Sequence, residues 1–188
     1  MTTKPPKHFT SDEFREMGYS TIDWIADYLE HLEERPVAPD VKPGDVRASL
    51  PERAPEAPEP FSDLLDDVNS LIAPAITHWQ HPGFFGYFSC NSSAPAILGE
   101  LLSAGFGING MLWSTSPAAT ELETHMLDWL LDLCDLPDCF RSDGKGGGVI
   151  QDSASSASLC AILAARDRSG GALELPKLVA YTSTQAHS

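Results

Sequence analysis

Apolar residues recur at spacings of three and four from the start of the chain: Phe14, Met17, Thr21, Ile25, Tyr28 and Leu32, widened by Trp24 and Leu29. That is one face of an amphipathic helix. Thr10 followed by Glu13 is a capping-box pattern at its start, and Pro36 stops it. A second helix is predicted over 61–73, with Phe61, Leu64, Leu65, Val68, Leu71 and Ile72 on one side and Pro74 at its end. A third opens with Ser93 as cap and Pro95 in its first turn, then runs through Ile97, Leu98, Leu101 and Leu102. The longest helix of the second half begins at Ser116-Pro117 and carries the stripe Leu122, Met126, Trp129, Leu130 and Leu133 before Leu136-Pro137. Asp128, Asp132 and Asp135 fall off that stripe and predict a solvated face. Val149-Ile150 is a short β-branched run, 159–166 is helix-patterned, and 178–181 has the pattern of a buried strand. A strand–helix–strand order predicts an α/β sheet, with the chemistry at the C-terminal ends of its strands.

Two stretches do not fit helix or strand periodicity. Seven prolines fall between Pro36 and Pro60, which favours extended backbone, either a solvated linker or a strap across a surface. The stretch 78–88 packs His78, Trp79, His81, Phe84, Phe85, Tyr87 and Phe88 among Pro and Gly. It reads as a rigid loop that plugs a core or, alternatively, walls a pocket for an aromatic ligand. No acidic or Cys partner lies close enough in sequence to complete a metal set with His78 and His81, so no metal is expected.

Composition narrows the class. The chain has 188 residues, a hydrophobic content of 42%, a charged content of 21% and a formal net charge of −15. These suit one sizeable globular core with a small second unit, and the negative charge argues against a nucleic-acid partner. No apolar run approaches the roughly 18 residues of a membrane span. The segment Met1 to Pro6 lacks the apolar run of a signal peptide. Cys90, Cys134, Cys139 and Cys160 are scattered, with no CxxC pair, as for reduced thiols in the cytoplasm. The chain stops at Gln185-Ala186-His187-Ser188, directly after a strand-like run, and is expected to be the front part of a longer polypeptide.

The candidate chemistry lies where Gly146-Gly147-Gly148-Val149-Ile150-Gln151 leads into Asp152-Ser153-Ala154-Ser155-Ser156. Small hydroxyl residues opening a helix make an anion site, because the first-turn N–H groups lack intrahelical partners and the helix dipole adds positive charge. A Walker A loop is excluded, since Lys145 is followed by Gly rather than Ser or Thr. A dinucleotide fingerprint is excluded as well, since the strand follows the glycines instead of preceding them. A phosphate is therefore expected at Ser153 to Ser155, not in the glycine loop.

With these residues, His187 and the aromatic loop in view, the chain resembles the pyridoxal-phosphate-dependent aromatic L-amino-acid decarboxylases, the group II decarboxylases. The matching motifs are His81-Pro82 to Phe88, Trp113 with Ser116-Pro117-Ala118-Ala119-Thr120-Glu121-Leu122-Glu123, Gly146 to Gln151, and Ala180-Tyr181 to Gln185-Ala186-His187-Ser188. They extend over nearly all of the chain beyond residue 8. The resemblance implies an α/β fold of fold type I, aspartate-aminotransferase-like. Residues 1–80 would be an N-terminal helical segment, with its Pro-rich strap at 36–60, packing on a dimer partner. Residues 81–188 would be the first part of an incomplete large domain.

It also implies a homodimer with shared active sites. Ala154 and Ser155 would bind the phosphate of pyridoxal 5'-phosphate, with Ser153 beside them. His187 would be catalytic, stacking on the cofactor ring and helping to hold the substrate carboxylate. Tyr87, Phe88, Ser89 and Cys90 would line the substrate side-chain pocket, joined by Asn109 and Met111 from the neighbouring subunit. Ser89 and Cys90 stand where animal relatives carry Pro and Thr, and Asn109 and Met111 where they carry Ile and Phe, which implies a more polar wall. The family's cofactor-binding lysine and the aspartate that pairs with the pyridine nitrogen lie later in such chains, and Lys145 and Lys177 do not match the lysine's motif. The implied activity is a carboxy-lyase that turns an aromatic L-amino acid into its amine and CO2, inactive as this piece alone. The alternatives are an aromatic aldehyde synthase, an acidic-amino-acid decarboxylase, or a non-catalytic dimerising fragment.

Overall fold

The computed structural model describes residues 9–88, 92–170 and 178–187. The chain divides into two units, Met1–Leu98 and Gly99–Ser188. The first begins with α1 (Ser11–Glu30), started by the expected capping box. Glu13 N–H donates to Thr10 Oγ1 at 3.2 Å, and Thr10 N–H donates back to the Glu13 carboxylate at 2.7 Å. These hydrogen bonds hold the Glu13 carboxyl below its usual range. Met17, Thr21, Trp24, Ile25 and Tyr28 are half-buried and Leu32 is buried, whereas Phe14 remains exposed. The helix closes before Pro36, passing into a 3₁₀ turn at Leu32–Glu34.

Within the Pro-rich stretch a short helix interrupts the expected extended backbone: α2 (Asp45–Ser49), entered through Gly44 at φ 103°. Lys42 N–H donates to Asp45 Oδ2 at 2.8 Å, so the turn is closed locally by an acidic side chain. The next helix, α3 (Phe61–Asp67), does not run straight to Pro74. It widens into a π turn at Val68–Ile72 and then tightens into a 3₁₀ turn at Ala73–Ala75. Proline at 74 has no N–H to give and would clash with the carbonyl four residues back. A change of winding just before it relieves both problems.

The second unit is framed by α5 (Pro117–Leu133), with Pro117 in its first turn. The division between the units falls inside α4 (Ala94–Phe106), where Ser93 Oγ accepts from Ala96 N–H at 3.4 Å. One sequence-based expectation for α5 is corrected and another extended. The stripe Leu122, Met126, Trp129, Leu130 and Leu133 is exposed, and the buried residue is Leu131. The aspartates are more than a solvated face: Asp132 and Asp135 are exposed and Asp128 is half-buried, but two of them hold the returning chain. Asp128 accepts from Ser142 N–H at 3.0 Å and from Ser142 Oγ at 2.5 Å, and Asp132 pairs with Arg141. Both observations have one cause: after the turn at Asp135 (φ 50°) the chain returns along α5 on its acidic side.

That return passes Arg141 at Asp132, Ser142 at Asp128, Gly148 against Leu127 and Ile150 at Glu123. Ile150 N–H donates to Glu123 Oε1 at 2.7 Å. The order runs antiparallel to the helix, so the carboxylates of α5 act as successive ties. Beyond the return, α6 (Ala154–Arg168) begins.

The strands expected at 149–150 and 178–181 form no ladder among the described residues. Val149, Ile150, Val179 and Tyr181 are all exposed. A strand exists by pairing with a neighbour, and within the described residues Ile150 finds a side chain instead.

Gly146 serves the return. A Cβ at Gly146 would lie 2.5 Å from the Cys139 carbonyl oxygen and 2.6 Å from Phe140 Cα, both backbone. Gly146→Ala therefore forces the arm off Phe140 and is expected to cost about 1–3 kcal/mol. Gly144→Ala, whose nearest atom would be 3.9 Å away, is expected to cost little. Urea midpoints of the two variants check the difference.

Candidate functional site

At the start of α6, Ser153 is the N-cap and Ser156 completes a capping box in which Ser replaces the usual Glu or Gln. Ser156 N–H donates to Ser153 Oγ, and Ser153 N–H to Ser156 Oγ, each at 3.2 Å. Ser156 Oγ in turn donates to Asp152 Oδ1 at 2.5 Å. Ser153 and Ser156 thus satisfy each other. The N–H groups of Ala154 and Ser155, in the first helical turn, have no acceptor among the described residues. Both residues are exposed, and the turn carries no acidic side chain. Two open donors and the Ser155 hydroxyl at a helix N-terminus are the donor set a phosphate takes. The residues present therefore fit the phosphate of pyridoxal phosphate, with Ser153 as the cap beside it.

Asn109 and Met111 share one tight turn. Asn109 Oδ1 accepts from Met111 N–H at 2.9 Å, and the Asn109 carbonyl accepts from Thr115 Oγ1 at 2.9 Å. Trp113 Nε1 donates to Glu121 on α5 at 2.8 Å, and Ser116 is buried where the helix begins. Both side chains of the pair are exposed.

In the other unit the aromatic stretch divides into an anchored base and a bare tip. His78 is 2% exposed. Its Nδ1 lies 2.7 Å from the Tyr28 hydroxyl, and its backbone N–H donates to the Val37 carbonyl at 2.9 Å. Tyr28 is held in turn by a stacked Trp24, ring centroids 5.4 Å apart, and by the Arg35 guanidinium 5.2 Å from its ring centre. Of the two readings of this stretch, the core plug describes its base. Its tip is different: Phe85, Tyr87 and Phe88 are 93%, 89% and 101% exposed. Tyr87 stands in the left-handed region at φ 54°, its ring stacked on Trp79 at 5.4 Å. Ser89 and Cys90 lie outside the described residues.

His187 is exposed and follows a turn in which Ser183 accepts from Gln185 and Ala186 N–H. The structure thus groups Ser153 to Ser155 at one helix start and Asn109 with Met111 in one turn. Tyr87 and Phe88 belong to the other unit. Sequence reasoning missed Glu123, Asp128 and Thr115, which hold the segments carrying these residues. The one readable signal was the four-residue spacing of Asp128 and Asp132, one helical turn apart.

A model of the family described as "Pyridoxal-dependent decarboxylase conserved domain" matches residues 43–188. The phenylacetaldehyde synthase of Arabidopsis thaliana is 51% identical over 97% of this chain and 38% of its own length. The aromatic-L-amino-acid decarboxylase of Rattus norvegicus is 48% identical over 95% of this chain and 40% of its own. Among solved structures, the tryptophan decarboxylase of Catharanthus roseus in complex with L-tryptophan superposes with a TM-score of 0.81 and 43% identity, covering 87% of this chain and 35% of that one. The chain belongs to the pyridoxal-dependent decarboxylase family. Its fold class is the α/β, fold-type I large domain, of which it carries a part. It spans less than half the length of these relatives. No helix among the described residues is long and apolar enough to cross a membrane.

Burial, followed by the positive charges of Arg35 and His81, holds the His78 imidazole below its usual range. The unfolded chain therefore takes up a proton at His78 that the folded chain resists. Its contribution to stability is complete above about pH 6.5 and is lost as the pH falls below that value. The urea midpoint of the protein should drop between pH 7.5 and 5.5, and His78→Gln should flatten that part of the drop.

Proposed function

We propose that the protein catalyses pyridoxal-phosphate-dependent decarboxylation of an aromatic L-amino acid, giving the amine and CO2. The observation that carries the reading is the cap at Ser153, which leaves the N–H groups of Ala154 and Ser155 open to a phosphate in a chain of this family. Pyridoxal phosphate, when bound, supplies the electron sink for the pair left behind as the carboxylate departs as CO2. Ala154 and Ser155 hold its phosphate, and Ser153 fixes the helix start that presents them. His187 stacks on the ring and orients the substrate carboxylate. Tyr87, Phe88, Ser89 and Cys90, with Asn109 and Met111 of a second copy, enclose the substrate side chain and exclude water.

That division of labour makes the enzyme a homodimer with shared sites, its segment 1–80 packed on the partner and residues 81–188 opening the large domain. The bare aromatic tip at Phe85 to Phe88 supports this, since such a surface is normally covered. A cytoplasmic location is supported by the free thiols of Cys134, Cys139 and Cys160. An aldehyde product is a second reading, favoured by the similarity to a phenylacetaldehyde synthase.

Incubating the full-length holoenzyme with aromatic L-amino acids, and assaying CO2, amine and aldehyde together, tests both readings. Amine with CO2 is expected; no CO2 from any of them refutes the proposal. Ser155→Asp places a carboxylate where the helix dipole welcomes it but where it repels a phosphate. It should weaken pyridoxal phosphate binding by about tenfold or more without lowering the melting temperature, as read by absorbance titration. His187→Ala should reduce turnover by about a hundredfold or more at little cost in stability.

A further inference from the structure

We propose that the enzyme selects aromatic amino acids that carry a ring hydroxyl, and that the side-chain amide of Asn109 makes the selection. This rests on the reading of the Asn109–Met111 turn as part of the substrate wall. The turn determines which end of the amide is available. The atom facing Met111 N–H at 2.9 Å must accept a hydrogen bond, so it is Oδ1. Nδ2, with its two N–H donors, is left exposed and without an acceptor among the described residues.

The turn is also closed along its length. Thr115 Oγ1 lies 2.9 Å from the Asn109 carbonyl and 2.8 Å from the Leu112 carbonyl, and accepts from Leu112 N–H at 3.3 Å. Trp113 is tied to Glu121 just beyond. An amide that spends its oxygen inside its own turn cannot rotate to offer that oxygen to a ligand without breaking the Met111 bond. The site therefore presents donors only, already oriented.

Donors of this kind discriminate by what they leave unpaired. A phenolic oxygen accepts from Nδ2. A phenyl ring offers no acceptor, so a covered amide loses its water and gains nothing. An indole N–H is itself a donor and meets a donor. Met111, unbranched and exposed beside Asn109, lies against any ring without choosing among the three. The order of preference is phenol first, with phenyl and indole behind.

Asn109→Asp inverts the polarity of the site, since it keeps an oxygen for Met111 N–H, and with it the turn, while its second carboxylate oxygen accepts from a phenol O–H or an indole N–H alike. The experiment compares kcat/KM of the holoenzyme for L-tyrosine, L-phenylalanine and L-tryptophan in wild type, Asn109→Asp and Asn109→Leu. The wild type should prefer tyrosine over phenylalanine by about tenfold or more. The wild type should disfavour tryptophan similarly; in Asn109→Asp the tyrosine-to-tryptophan ratio should fall to about one, and in Asn109→Leu the tyrosine-to-phenylalanine ratio should fall to about one or below. A wild type without the preference, a tyrosine-to-tryptophan ratio unchanged in Asn109→Asp, or a tyrosine-to-phenylalanine ratio unchanged in Asn109→Leu, overturns the inference while the decarboxylase reading stands. No CO2 from any of the three substrates overturns the decarboxylase reading and this inference with it.

Discussion

The second unit depends on three carboxylates of α5 that hold the returning chain as it crosses the helix obliquely. Glu123, Asp128 and Asp132 each take hold of the chain as it returns from Asp135, at Ile150, Ser142 and Arg141 respectively. Two of these ties go to backbone N–H groups, so they fix the path of the main chain itself. Hydrogen bonds to ionised acceptors are stronger than neutral ones, and the Asp128 carboxyl is held below its usual range chiefly by the Ser142 hydroxyl and N–H. The glycine run fits the same requirement, because only a residue without Cβ can pass the Phe140 backbone at Gly146. The arm then leads into the capped start of α6. The phosphate-type donors at Ala154 and Ser155 are positioned by an acidic helix that never touches them.

The first unit uses another device for a similar end. There the anchor is a buried neutral imidazole rather than a charge. His78 is enclosed by Tyr28 and the Val37 carbonyl, with Trp24 and Arg35 supporting the tyrosine. Burial pushes the Tyr28 hydroxyl up and the His78 imidazole down, so both partners stay uncharged and their hydrogen bond carries no ion into the interior. With its base pinned in this way, the loop can hold Phe85, Tyr87 and Phe88 in the open.

Helix starts were legible because they are written locally. Thr10 with Glu13 and Ser153 ahead of a small-residue run are patterns within one turn, and both caps form. Pairings set by distant partners could not be read. Tyr28 and His78 are 50 positions apart, and nothing near either names the other. Asp128 and Asp132 looked solvated because they sit off the apolar stripe, and only the course of the return gives them partners. The stripe on α5 is real in the sequence yet exposed here, since the arm lies along a different face. The change of winding before Pro74 and the short α2 within the proline-rich stretch were equally hidden. At Asn109 the residue type was read as polar, but which end of its amide faces outward depends on a turn that periodicity does not reveal.

The ties along α5 span only 9, 14 and 27 positions of sequence. Loops of that size close at small entropic cost, and contacts so near in sequence form early in folding. The arm can therefore settle against its helix on the ribosome as soon as residue 150 has emerged, before any sheet has neighbours to pair with. Synthesis would then deliver the start of α6 already oriented, and later segments would assemble around a fixed point.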